Sequence, residues 1–208
     1  MINQLVILDD EDVKLGSFFN LCATYAYEVS DSSKHEINCR RVCAHEVNAE
    51  NISNHLAPIN QERFIFLSFL HGSSEAMFIN GSGEIVSVHE NYYLFTKGFI
   101  YTFSCYNGSV LADQILNNGA ELYWGYIDKA WVHTDYEEDF KECALAGYQY
   151  FLQGYTAKDA YLLMQEFINN KIDELYQTDF VAASTLMRNR DALVLKGNDN
   201  LRVTDFQV

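Results

Sequence analysis

Apolar positions along this chain fall into two kinds of run. Two are continuous: Arg63-Phe64-Ile65-Phe66-Leu67-Ser68-Phe69-Leu70, halted by His71-Gly72, and Gly98-Phe99-Ile100-Tyr101-Thr102-Phe103, halted by Ser104-Cys105-Tyr106-Asn107-Gly108. Runs of this length, rich in aromatic and β-branched residues and bounded by glycine, predict strands buried on both faces. Gln4 to Leu8 predicts a shorter strand that stops at Asp9-Asp10-Glu11-Asp12, and Ile37 to Val47 another. Ala76 to Ile79 and Glu84 to Val88 flank Asn80-Gly81-Ser82-Gly83, a strong hairpin signal. Ala120 to Ile127 and Ala192 to Leu195 complete the longer strands, and Leu201 to Val203 predicts a last short one.

The remaining apolar positions recur at helical spacing. Leu15, Phe18, Phe19 and Ala23 predict a first helix. Asn48 can cap a second helix that runs through Leu56 and ends at Pro58. Glu90 to Thr96 predicts a short helix, and Val110 to Leu116 one closed by Gly119. Tyr136 to Gln153 predicts a helix closed by Gly154, and Thr156-Ala157-Lys158-Asp159 resembles a capping box. Ala160, Leu163, Phe167, Ile168, Ile172, Leu175 and Tyr176 form the expected inner side of the helix after it, and Phe180 to Arg188 the last helix. Strands alternate with helices, which predicts an α/β fold with a mostly parallel central sheet and helices on both faces.

Composition narrows the function. The chain has 208 residues, a length that fits one domain, and 49% of them are hydrophobic. Against 29 acidic residues stand 14 basic ones, for a net charge of −15, which argues against binding nucleic acid or an anionic membrane surface. Five cysteines without framework spacing, and no charged-then-apolar leader, predict a reduced, cytoplasmic location. No apolar run approaches the roughly 20 residues of a membrane span.

Each continuous strand delivers one reactive side chain at its carboxyl end, where open parallel sheets build their ligand sites. A histidine and a cysteine so presented, with a helix soon after the cysteine, suggest nucleophilic catalysis. Gly72 lets a substrate carbonyl approach the backbone, since no Cβ blocks it. Each residue taken alone could be a satisfied core group. The pairing of His-Gly with Ser-Cys-x-x-Gly contexts favours catalysis.

These residues resemble a family. Apolar strand, His71-Gly72, hairpin, apolar strand and Ser104-Cys105 are similar to the caspase-fold cysteine peptidases, which include caspases, gingipains, separases and CHAT domains. Ser109 to Ala120 resembles the helix, Gly-Ala and strand that follow the catalytic cysteine in gingipain-like and CHAT sequences. Trp131-Val132-His133-Thr134-Asp135 is similar to the Trp-x-x-Thr-Asp element of separases and CHAT domains. Arg188 to Leu201 resembles the terminal strand and turn, here Gly197-Asn198-Asp199-Asn200 without proline. The matches span Glu62 to Val203; the N-terminal third fits by element order alone. The caspase signature Gln-Ala-Cys-x-Gly is absent, so caspase-type aspartate specificity does not carry over.

The resemblance implies a single caspase-like peptidase domain over residues 1–208, a three-layer sandwich around the sheet. It implies a hydrolase: a thiol protease with His71 as general base or acid and Cys105 as nucleophile. The backbone N–H groups of Gly72 and Cys105 would form the oxyanion hole. It calls for no third catalytic side chain, no cofactor and no metal. The expected partners are a protein or peptide substrate and a regulatory protein, with no nucleic acid or membrane bound.

Substrate choice is read from Asp135 and Asp128, which follow the strand next after Cys105. Asp135, within the separase-like element, is the first-choice anchor for a P1 Arg or Lys and Asp128 the second; Arg40 or Arg41 in the pocket would instead favour an acidic P1. Other features read blandly. Cys39, Cys43 and His45 share one strand face, but alternate residues lie about 7 Å apart, awkward for one ion. Asp9 to Asp12 reads as a solvated loop or a helix N-terminal charge cluster. His89 and His133 read as surface residues, and Tyr92, Tyr93, Tyr148 and Tyr150 as core or interface. Two competing functions stand beside the peptidase: a catalytically idle scaffold on the same fold, and a receiver-like phosphosensor at Asp9 or Asp10.

Overall fold

A computed structural model describes residues 1–81 and 83–207. The chain runs β1 (Ile2–Leu8), α1 (Gly16–Asp31), β2 (Ile37–Val42), α2 (Ala49–Leu56), β3 (Phe64–Phe69), β4 (His71–Gly72), β5 (Ala76–Ile79), β6 (Gly83–Ser87), β7 (Gly98–Phe103), α3 (Val110–Asn117), β8 (Leu122–Tyr126), α4 (Glu137–Leu152), α5 (Ala157–Tyr176), α6 (Phe180–Ala192) and β9 (Leu193–Gly197). Six strands form the central sheet in the order β2-β1-β3-β7-β8-β9, and β4-β5-β6 form a separate three-stranded sheet. All neighbours in the central sheet are parallel except β8 and β9.

The two continuous apolar runs are β3 and β7, side by side at the centre, with every residue of both buried. Their burial follows from helices on each face. Ile65, Leu67 and Phe69 pack with Phe18 and Phe19 of α1 and with residues of α4, α5 and α6. Phe64 and Phe66, pointing the other way, pack with Ile52 and Leu56 of α2, Leu111 and Ile115 of α3, and Met77 and Val86 of the small sheet. A strand covered on both faces has no polar face to present, which is why these runs lack alternation.

Local signals set most boundaries. Asn48 Oδ1 accepts from the Asn51 N–H at 2.9 Å to start α2, and Thr156 Oγ1 accepts from the Asp159 N–H at 3.0 Å to start α5. Gly119 and Gly154 take φ of 102° and 100°, closing the helices before them.

Several expectations need correction. Leu201 to Val203 forms no strand; a 3-10 turn at Val203–Phe206 stands there and buries Phe206 against Phe99 and Phe151. The β2 strand stops at Val42, before Cys43 and His45, and α6 runs on to Ala192. Met164, not Leu163, is fully buried on α5, and Tyr176 is exposed, stacked edge-on against Phe180. The predicted hairpin forms as β5 and β6, joined on its outer side by β4; Ser82 of its turn lies outside the described residues.

Candidate active site

The register of β3 on β7 runs from Phe64↔Gly98 to Phe69↔Phe103. His71 and Cys105 therefore each lie two residues beyond the last paired positions, at the carboxyl edge of adjacent parallel strands. Their backbones converge there: a Cβ added to Gly72 would lie 2.4 Å from the Cys105 carbonyl oxygen and 3.1 Å from Ser104 Cβ. Only glycine fits this approach.

The turn after Cys105 is held by backbone bonds rather than by regular structure. The Tyr106 N–H donates to the Asp128 carbonyl at 3.1 Å, the Asn107 N–H to the Cys105 carbonyl at 2.8 Å, and the Gly108 N–H to the Tyr126 carbonyl at 2.9 Å. Tyr106 takes φ of 64°, a left-handed conformation costly for a bulky side chain. Asn107, fully buried, braces the turn by accepting from Tyr123 Oη at 2.7 Å. The Cys105 thiol is half-buried and donates to the Ala130 carbonyl at 3.8 Å. Burial pushes this thiol up from its ordinary pKa, against a smaller pull from the Lys129 charge. The thiol therefore holds its proton more firmly than an exposed cysteine does.

His71 is held on three sides. Its ring stacks on Phe78 at 5.9 Å and meets the edge of Phe19 at 5.8 Å. Its Nε2 lies 2.9 Å from Asp12 Oδ2, and Asn80 Nδ2 lies 2.9 Å from the same oxygen. Asn80 Nδ2 is also 3.0 Å from His71 Nε2. An ionised carboxylate only accepts, so Nε2 carries a proton and both nitrogens donate to Asp12; in the neutral form of the ring the lone pair is then on Nδ1. Asp12 also accepts from the Lys14 and Leu15 N–H groups, at 2.8 and 2.7 Å, through its other oxygen. Burial works against the charge, but the bonds from Leu15, Asn80, His71 and Lys14 hold the Asp12 carboxyl well below the usual range.

Of the two readings of Asp9 to Asp12, this overturns the solvated loop, while the charge cluster at a helix N-terminus fits Asp12, whose Oδ1 caps the turn into α1. Asp9 is 1% exposed, Asp10 Oδ1 accepts from the Ala44 N–H at 2.9 Å, and Asp12 binds His71. Asp12 and Asn80 are the site residues that sequence reasoning missed. A signal was present: β1 also ends in reactive residues, and it pairs with β3 so that Leu8 lies beside Phe69.

The other sequence candidates lie apart. Asp128 lines a cavity of about 410 Å³ with Lys129, Trp131, Arg188 and Asp191, next to the Ala130 carbonyl that meets Cys105. Asp135 lines a different cavity, of about 590 Å³, between the starts of α1 and α4. Arg41 reaches back to Asn20 and Thr24 on α1, and Arg40 lines a cleft with His55 and Pro58. Neither arginine lines the Asp128 cavity. Cys39 accepts from Gln4 Nε2 at 3.3 Å.

A six-stranded, mostly parallel sheet with helices on both faces, closed by an antiparallel edge strand, makes this a caspase-like α/β fold. A solved structure described as the Arg-specific cysteine proteinase gingipain R superposes on it with a TM-score of 0.64. The two chains are 12% identical, and the match covers 97% of this chain and 47% of that one, so this chain spans about half the length of that structure. The likeness is one of fold. No family model and no curated protein matches the sequence.

Proposed function

We propose that this chain is a cysteine endopeptidase, with residues 1–208 acting as one caspase-like catalytic unit. Cys105 is the nucleophile and His71 its base, and the backbone N–H groups of Gly72 and Cys105 receive the oxyanion. One observation carries the reading. The two central, parallel strands end in register at a histidine and a cysteine, in a fold shared with a cysteine proteinase. The Asp12 and Asn80 contacts support it, because they fix the imidazole and its tautomer as a general base requires.

The steps follow from the groups present. Cys105 Sγ attacks the scissile carbonyl carbon while its proton passes to His71. The oxyanion collapses, the C–N bond breaks, and His71 returns the proton to the leaving amine. Water, deprotonated by His71, then attacks the thioester and frees the acid and the thiol. A raised thiol pKa suits this order, in which proton removal accompanies attack instead of preceding it.

The substrate in this reading is a protein, cut after Arg or Lys. We place Asp128 ahead of Asp135 as anchor, because its cavity adjoins the segment that touches Cys105. A regulatory partner and a cytoplasmic location complete the proposal. No helix among the described residues is long and apolar enough to cross a membrane.

The deciding experiment is N-terminal labelling of a proteome incubated with the parent and with Cys105→Ala. New N-termini should appear with the parent alone. Cys105→Ala and His71→Ala should each abolish cleavage, and the double variant should cost little more than either, since nucleophile and base act as a unit. Equal cleavage by Cys105→Ala would sink the proposal, and no new N-termini with the parent would favour the idle scaffold.

A further inference from the structure

β1 and β3 are parallel neighbours that pair up to Leu8↔Phe69. Asp9, one residue past Leu8, and His71, two past Phe69, consequently share one edge with Asp12. Donor atoms from Asp9, Asp12 and His71, one from each, lie within 4.8 Å of one another. Asp9 adds an independent anomaly. It is 1% exposed, and its Oδ2 is buried without a hydrogen-bond partner. A buried carboxylate oxygen left unpaired beside a second carboxylate is costly in a protein interior. A bound cation would satisfy that oxygen and offset the crowding of two carboxylates.

We propose that Asp9, Asp12 and His71 bind one divalent first-row transition cation, Zn²⁺ or Mn²⁺, and that its occupancy switches off the chemistry of Cys105. The switch rests on the reading of His71 as the base; the cation site does not. Two carboxylates and an imidazole favour such a cation over Mg²⁺ or Ca²⁺, which prefer all-oxygen sites. Bonds of about 2.1 Å put donor atoms at most about 4.2 Å apart, so small side-chain movements within the 4.8 Å cluster suffice to close on an ion. A cavity of about 420 Å³ lined by Asp9, Asp12, Asn80 and His45 gives the ion and its waters a way in.

The consequence for the base follows from the tautomer. Without the ion, Nε2–H donates to Asp12, and in the proposed reaction the neutral ring takes the proton at its Nδ1 lone pair. With the ion on Nε2, the displaced proton is taken up at Nδ1. The ring stays neutral but has no lone pair left for the Cys105 proton.

The test starts with Cys105→Ala, so that the thiol cannot be the ligand. Titrated with Co²⁺ as a spectroscopic stand-in for Zn²⁺, it should bind one equivalent, with d–d bands and no thiolate-to-metal charge-transfer band. Adding Asp9→Asn or His71→Ala should weaken binding at least tenfold. His71 opens the two-residue strand β4 and is partly exposed, so its variant carries the test should Asp9→Asn fold poorly. In the parent, Zn²⁺ should slow iodoacetamide alkylation of Cys105 at least tenfold, read by mass spectrometry of the Cys105 peptide. It should do much less in Asp9→Asn. No saturable binding to Cys105→Ala, binding unchanged in both added variants, or a thiolate band from Cys39 or Cys43 would each overturn the site. Binding with unaltered alkylation would overturn the switch and the His71 base assignment with it. A cation site without any peptidase activity would leave the site standing and remove only the proposed reaction.

Discussion

Asp12 Oδ2 meets His71 Nε2 at 2.9 Å across 59 residues of chain, while Asp12 Oδ1 caps the turn into α1. One carboxylate thus ties the imidazole to a rigid helix start. In the proposed reaction Asp12 would position the base and not touch the Cys105 sulfur.

Asp12→Asn keeps an acceptor of the same size but loses the charge that fixes the Nε2–H tautomer. It should lower kcat at least tenfold, toward the roughly 10⁴-fold known for an orienting carboxylate in a hydrolytic triad, and leave KM nearly unchanged. Asp12→Glu should recover part of the loss. A purely structural role would instead lower the fraction of active protein and leave kcat per active site intact, as active-site titration with a thiol probe would show.

Gly72→Ala tests the backbone approach. The new Cβ would stand 2.4 Å from the Cys105 carbonyl oxygen, and that backbone is pinned by the Asn107 N–H at 2.8 Å. Relief requires β4 and the Cys105 turn to separate. We expect a loss of about 1–3 kcal/mol in urea unfolding, in line with overpacking elsewhere, and a larger proportional loss of Cys105 reactivity. Unchanged stability and probe labelling would show that the approach is looser than described.

Asp9 and Asp12 should respond to pH in opposite directions. The folded-state pKa of Asp9 lies above its unfolded value, so its stabilisation is complete below the ordinary carboxylate pKa and is lost as pH rises through the folded value. At neutral pH the charged Asp9 therefore weakens the fold. Asp9→Asn should raise stability there by about 1 kcal/mol or more, a gap that closes below about pH 4. Asp12 is depressed, so its stabilisation holds above the ordinary value and is lost as pH falls through the folded one. Asp12→Asn should destabilise at neutral pH and converge with the parent in acid. Urea unfolding across the range, with added chelator, reads both signs.

How much of this was legible in the sequence depends on the range of the interactions. The β3 and β7 runs, the caps at Asn48 and Thr156 and the stop at Gly119 are local, and each was readable from its own residues. That His71 and Cys105 stand at the same edge of the sheet was readable at one remove, since adjacent buried parallel strands end there. The place of Asp12 at a helix start was legible, but its bond to His71 was not, because that partner is remote in sequence. The missing strand near Leu201 fails for a related reason: burial of Phe206 against Phe99 and Phe151, not strand propensity, decides that segment.

The last prediction concerns which residue the peptidase selects. A charged P1 side chain entering a partly closed cavity needs an opposing charge, because an unpaired buried charge is costly. Asp128 offers one beside the Cys105 turn, with its Oδ1 held by the Lys129 N–H at 2.7 Å. Asp191 in the same cavity is partly neutralised by Arg190 at 2.7 Å, and Lys129 lies over the Trp131 ring at 5.3 Å. Asp135 sits in its own cavity with Glu137, Glu138 and Asp139 at the start of α4, an acidic wall that suits a basic residue further along the substrate. The two sites separate in a peptide library varied at P1 and at neighbouring positions. Asp128→Asn should cut kcat/KM for P1 Arg or Lys at least tenfold, equivalent to about 1.4 kcal/mol, and spare uncharged P1 residues. Asp135→Asn should leave the P1 profile unchanged and weaken preference for a basic residue at another position. If Asp135→Asn alone erases the basic P1 preference, the anchors exchange roles, and cleavage after Asp or apolar residues by the parent would remove both while leaving the Cys105 chemistry in place.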